Sequence, residues 1–202
     1  LAKLNLHNDE VVNYLLDCAR FWIDEFDIDG LRLDAADCID IEFFKKLKNV
    51  CKEKKSDFWL YGEITHGDYN HWANPDVLDS VTNYECYKGI YSSHNDHNYF
   101  EIAHTVRRLQ NMGTLKLYNF VDNHDVERIY TKLTNKAHFA PVHVLLYTLP
   151  GVPSIYYGSE FGIEGRKEYG SDDSLRPALN IEDYKDSVKT NPCTALIAAL
   201  GK

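Results

Sequence analysis

Gly30-Leu31-Arg32-Leu33-Asp34-Ala35-Ala36 is the stretch on which the reading of this chain turns. Apolar residues at 31, 33 and 35 alternate with Arg32 and Asp34, the period of a short buried strand, so the guanidinium and the carboxylate share the opposite face. Upstream, Asn8 can cap a helix from about 9 to 25. Its first turn holds Asp9 and Glu10, and Val12, Leu15, Leu16, Ala19, Trp22 and Ile23 repeat at helical spacing. Downstream, Asp40 can cap a second helix through Phe43, Phe44, Leu47 and Val50, closed by Lys52, Lys54 and Lys55 where cations suit the helix end.

The alternation continues. Strands are expected at 58–64, near 79–83, at 117–121 and at 153–157, with helices near 99–109 and 138–149 and the opening of another at 193–202. Residues 66–98 read as a long irregular active-site loop. Five short strands separated by helices argue for repeated β/α units and a parallel sheet, which fits either a doubly wound sheet or a (β/α)8 barrel. Polar residues gather just after the strands, where barrel enzymes keep their chemistry, and no Gly-rich phosphate loop supports the doubly wound alternative. The expected fold is therefore α/β of the TIM-barrel type. Five strands do not close such a barrel, typically of roughly 250 residues, so either the chain is a fragment or the sheet is open.

At 202 residues and 44% hydrophobic, the chain can bury a core and reads as one domain, 1–202, with 1–8 ending the segment before the first helix. Its 31 acidic and 22 basic residues give a net charge of −9, which argues against nucleic acid and anionic lipid as partners. No apolar run approaches the ~20 residues that span a bilayer. The five cysteines are scattered, which favours reduced thiols and a cytoplasmic setting. Leu1 reads as a cut end, which leaves the location of the parent protein undetermined.

Three acids stand where such a fold would use them. Retaining glycoside hydrolysis needs a carboxylate nucleophile and a carboxylic acid about 5 Å apart. Asp34, beside Arg32, suits the ionised nucleophile. Glu63, closing Trp59-Leu60-Tyr61-Gly62-Glu63-Ile64, suits a proton donor whose pKa desolvation would raise. Asp125, in Asn119-Phe120-Val121-Asp122-Asn123-His124-Asp125, suits a supporting role toward sugar hydroxyls or an oxocarbenium-like centre. Taken singly, each also has a structural reading: an Arg-paired carboxylate, a solvated strand end and a helix cap.

Together and in this order, the three segments resemble characteristic regions of the α-amylase family of glycoside hydrolases. Leu1-Ala2-Lys3-Leu4-Asn5 resembles the short region before the nucleophile strand, as found in neopullulanases, cyclomaltodextrinases and maltogenic amylases. Residues 150–160, Pro-Gly-Val-Pro-Ser-Ile-Tyr-Tyr-Gly-Ser-Glu, resemble the last barrel strand, and Arg176-Pro177 falls where a substrate-binding arginine often follows. The resemblance implies Asp34 as nucleophile, Glu63 as acid/base and Asp125 as transition-state stabiliser, with Arg32, Asn123, His124 and Arg176 toward the substrate. It implies a TIM (β/α)8 barrel of which this chain supplies about strands four to eight, and cleavage of an α-glucosidic bond in a starch-type glucan or maltooligosaccharide.

The chain departs from the family where Asp37-Cys38 and Thr65-His66 replace the usual neighbours of the first two acids, which bears on subsites and on calcium there. The family's first region, an Asn-His pair near the third strand, has no counterpart, and calcium ligands usually come from that half. No cofactor and no complete metal site are therefore expected within this chain, while the full-length protein could hold calcium. Trp72 and Tyr84 can stack on glucose rings, and His94-Asn95-Asp96-His97 reads as a polar loop rather than a metal site. Open sheet edges predict homo-oligomer formation and little activity in the isolated chain. A transglycosylase or phosphorylase of the same fold, or an inactive binding relative, are the alternative functions.

Overall fold

The computed structural model describes residues 3–112 and 116–202. Leu1 and Ala2, part of the 1–5 region quoted above, lie outside the described residues. The chain divides into two units, Leu1–Thr82 and Asn83–Lys202.

In the first unit, α1 (Asp9–Phe26) starts where the Asn8 side chain accepts from the amides of Glu10 and Val11, and it ends at Asp27 in the left-handed region. Val12, Leu16, Ala19 and Ile23 form its buried stripe, and α2 (Ile41–Lys54), capped by Asp40, packs beside it. Trp22 does not join the stripe. It lies one position round the helix and is 44% exposed, as Phe21 and Phe26 also face outward.

Three parallel strands, β1 (Gly30–Leu33), β2 (Trp59–Gly62) and β3 (Ser80–Val81), pair in that order, with Arg32 opposite Tyr61 and Leu33 opposite Gly62. β1 is half-buried along its length rather than buried as expected, because it is an edge strand with one neighbour. The strands approach closely at two glycines. A Cβ on Gly30 would sit 2.5 Å from the Trp59 carbonyl oxygen, and one on Gly62 would sit 2.7 Å from both the Ala36 Cβ and the Leu78 Cδ1. Side chains extend the pairing past the strand ends. Asp79 accepts from the Leu60 amide and pairs with the buried Lys48, while Thr82 Oγ1 both accepts from the Ile64 amide and donates to its carbonyl.

In the second unit, α3 (Tyr84–Asn95) and α4 (Phe100–Asn111) pack together, β4 (Tyr118–Asn119) pairs in parallel with β5 (Val152–Pro153), and α5 (Ile129–Lys132), α6 (Phe139–Thr148), α7 (Ser187–Thr190) and α8 (Pro192–Leu200) follow. Cys86, Ile90, Ile102, Val121, Ile129, Leu133, Phe139, Val142 and Leu146 form its core.

α3 corrects the reading of 66–98 as one irregular loop, and His94 is a buried helical residue rather than part of a polar loop. Two of its buried polar residues bond within the helix: Ser92 Oγ donates to the Lys88 carbonyl, and His94 Nδ1 meets the Ile90 carbonyl at 2.7 Å, while His94 Nε2 has no hydrogen-bond partner among the described residues. Among the described residues no helix is long and apolar enough to cross a membrane.

Gly62→Ala should cost about 1–3 kcal/mol, the usual range for forcing volume into a packed site. Urea denaturation checks this, and an unchanged midpoint would show that Ala36 and Leu78 move aside freely.

Candidate active site

Parallel register brings the ends of β1 and β2 together. The Glu63 amide donates to the Leu33 carbonyl and the Ala36 amide to the Glu63 carbonyl, so the residues just past the two strands are held side by side. Ala35 turns the chain with φ of 43°, a left-handed conformation that leaves its own amide facing the Glu63 carboxylate at 3.2 Å.

Arg32 occupies the space between the two acids. One of its terminal nitrogens donates to Asp34 Oδ1 at 2.8 Å and the other lies 3.2 Å from Glu63 Oε2. Burial opposes the charge on Arg32, but the hydrogen bond to Asp34 and the charges of Glu63 and Asp34 outweigh it and raise its pKa. Asp34 stays open, with 77% of its side chain exposed, whereas only 15% of the Glu63 side chain is exposed. The sequence reading gave Glu63 desolvation alone; the structure adds the guanidinium and the Ala35 amide as partners. Trp72, in the same unit, is half-buried, packing edge-on to His71 and beneath Gly67.

In the second unit, Asp125 sits between Arg176 and His124. Arg176 donates to its Oδ1 at 2.9 Å and His124 Nε2 lies 3.1 Å from its Oδ2. Arg176 also donates from Nε to the His124 carbonyl and pairs with Asp172, so it fixes the backbone as well as the carboxylate. Lys167, and with it Arg176, holds the half-buried Asp172 carboxyl below its ordinary range. Asn123, expected to face substrate, spends its oxygen on the amides of Asp125 and Val126 and its NH2 on the Tyr84 hydroxyl. It shapes the turn that presents Asp125. Tyr84, expected as a stacking platform, packs edge-on against Phe120.

The sequence reading missed Asp122, Arg128 and Asp172. The spacing Asp172 to Arg176 is the signal it passed over for Asp172, since four residues is an ion-pair spacing. For the other two there was only an Arg standing just before an apolar segment. Asp122 is buried, accepting from the Ile129 amide and the Ser159 hydroxyl. Burial pushes its carboxyl up to about 6 against those two hydrogen bonds and the charge of Arg128, and Glu160 adds to the rise. Among the described residues no three His, Cys, Asp or Glu side chains are grouped to hold a metal ion.

The folded protein holds the Asp122 proton more tightly than the unfolded chain, where Asp titrates near ~3.9. Its contribution to stability is therefore complete below that value and lost as pH rises through about 6. The stability gap between the parent and Asp122→Asn should accordingly move in favour of the parent on going from pH 7 to pH 5, as read by urea unfolding. A gap independent of pH would contradict a raised pKa.

Residues 1–194 match the family model described as alpha amylase, catalytic domain. The chain is 34% identical over 177 residues to a maltogenic alpha-amylase of Bacillus acidopullulyticus, an alignment covering 84% of this chain and 30% of that protein. It is 33% identical to a cyclomaltodextrinase of Geobacillus thermopakistaniensis, covering 100% of this chain and 35% of the relative. In structure it resembles the cyclic α-maltosyl-(1→6)-maltose hydrolase of Arthrobacter globiformis in complex with maltose, with a TM-score of 0.82 at 26% identity over 99% of this chain and 46% of that one. The chain thus spans about a third of the length of these curated relatives, and its fold is part of the TIM barrel that they share. It belongs to the α-amylase family of glycoside hydrolases.

Proposed function

We propose that this chain carries the catalytic acids of a retaining glycosidase that cleaves α-glucosidic bonds in starch-type oligosaccharides through a covalent glycosyl-enzyme intermediate. The observation that carries the reading is the Arg32 guanidinium shared between Asp34 and Glu63 at the ends of paired strands. Retention needs two carboxyl groups about 5 Å apart, and a planar guanidinium that touches both imposes a separation of that order.

The two acids differ in the way the two roles require. Asp34 takes the shorter bond to Arg32 and is open to an incoming anomeric carbon, which suits a carboxylate that must stay ionised and attack. Glu63 is covered and lies farther from the cation, which suits the group that alternately carries and gives up a proton.

In the first step an Asp34 oxygen bonds to the anomeric carbon while the glycosidic C–O bond breaks and the Glu63 proton passes to the leaving oxygen. In the second, Glu63 takes a proton from water, whose oxygen displaces Asp34 from the same carbon. Asp125, held by His124 and Arg176, is assigned to the positive charge that develops on the sugar. No cofactor enters this cycle. Residues 1–202 act in this reading as part of a catalytic barrel, with 1–8 ending the segment that precedes α1. Maltooligosaccharides are the substrate class, supported by the names of the relatives.

In the whole protein, Asp34→Asn should lower turnover of maltotriose at least ~1,000-fold, as expected for losing a covalent nucleophile. The first-released sugar should carry the α configuration, read by proton NMR before mutarotation. Turnover unchanged by the substitution, or a β product, would overturn the assignment.

A further inference from the structure

Arg128 is the largest fully buried side chain of the protein's described residues, with none of its surface exposed. Its guanidinium reaches three acceptors on two segments of the second unit, 157–159 and the one that holds Leu175. It donates to the Tyr157 carbonyl at 2.8 Å, to Ser159 Oγ at 3.1 Å and to the Leu175 carbonyl at 2.8 Å, and it lies 4.6 Å over the Tyr156 ring. The Arg128 amide donates to the Gly165 carbonyl. Ser159 passes the connection on by donating to Asp122, whose same oxygen accepts from the Ile129 amide. Both ends of the 122–129 turn are thereby fastened to the segment after β5.

Asp125 stands inside that turn, and Arg176 directly follows the Leu175 carbonyl that Arg128 holds. The two sides of the Asp125–Arg176 contact are thus set by one buried cation. Burying a guanidinium is costly, and apolar side chains of similar volume often serve stability as well or better. Nε of Arg128 is buried without a hydrogen-bond partner among the described residues, which adds to that cost. A side chain kept only to fill the core would not carry this charge.

We infer that Arg128 is a positioning residue for Asp125: it sets the geometry of the Asp125–His124–Arg176 group without touching substrate. The inference rests on the proposed role of Asp125 for its functional meaning, while the positioning itself is testable without turnover.

The test uses Arg128→Met and Arg128→Lys, the second retaining charge but unable to reach three acceptors at once. Nitrogen-15 NMR of the chain follows the Arg176 Nε–H, which donates to the His124 carbonyl, alongside the amide protection of Cys86 and Ile90 in the α3 core. The expected result is that the chemical shift of the hydrogen-bonded Arg176 Nε–H moves to that of a solvated arginine in both variants while α3 protection persists. In the whole protein, kcat should fall ~100-fold with KM changed less than ~3-fold, the scale of a misplacement near 1 Å.

An Arg176 signal unchanged in either folded variant would overturn the inference. So would its movement only together with loss of α3 protection in both, because Arg128 would then be a core residue and nothing more. Absence of turnover in the parent protein would strike the proposed function alone and leave the NMR result to decide the positioning.

Discussion

The first unit is organised around one guanidinium shared by two carboxylates. Arg32 stands opposite Tyr61 in the parallel pairing of β1 and β2, and from there it reaches Asp34 on its own chain segment and Glu63 on the next. Two acids so close would repel one another if both were ionised, and the cation between them offsets that repulsion. Everything nearby serves to keep that geometry. Gly30 and Gly62 let the strands approach, the left-handed turn at Ala35 aims an amide at Glu63, and Thr82 holds the backbone at Ile64 just beyond the acid.

The second unit reaches a comparable result through amides and a buried cation. The Asn83 side chain caps α3 and donates to Asn119, whose own NH2 donates to the Pro150 carbonyl, so helix, strand and turn are tied by two short side chains. Asn123 closes the turn before Asp125, and Arg128 fixes where that turn and the Arg176 segment lie. The cost of burying these polar groups is met by the apolar cluster around Ile90, Ile129 and Leu146, each fully buried side chain contributing about 1.5–3 kcal/mol.

Features written in local chemistry were legible in the sequence. Asn8 and Asp40 announced α1 and α2 because capping acts within a few residues, and the alternation in 30–35 placed Arg32 and Asp34 on one face. Strands came out shorter than their apolar runs, since pairing rather than hydrophobicity defines where β1, β2 and β4 stop. α3 escaped because Ser92, Ser93 and His94 are polar yet buried, and their hydrogen bonds to Lys88, Ile90 and the start of α4 are invisible in a hydrophobic pattern. Arg128 escaped for a longer-range reason: its acceptors lie 29 to 47 residues away. Glu63's partners needed strand register, which links residues 28 positions apart.

The shorter contact of Arg32 to Asp34 than to Glu63 is the physical ground for proposing Asp34 as the attacking carboxylate of the pair. Incubating the whole protein with 5-fluoro-α-glucosyl fluoride, which traps a covalent glycosyl-enzyme, and sequencing its peptides by mass spectrometry puts that assignment to the test. A single sugar adduct on Asp34 is expected. An adduct on Glu63 or Asp125, or none on any carboxylate while the reagent is consumed, would contradict it.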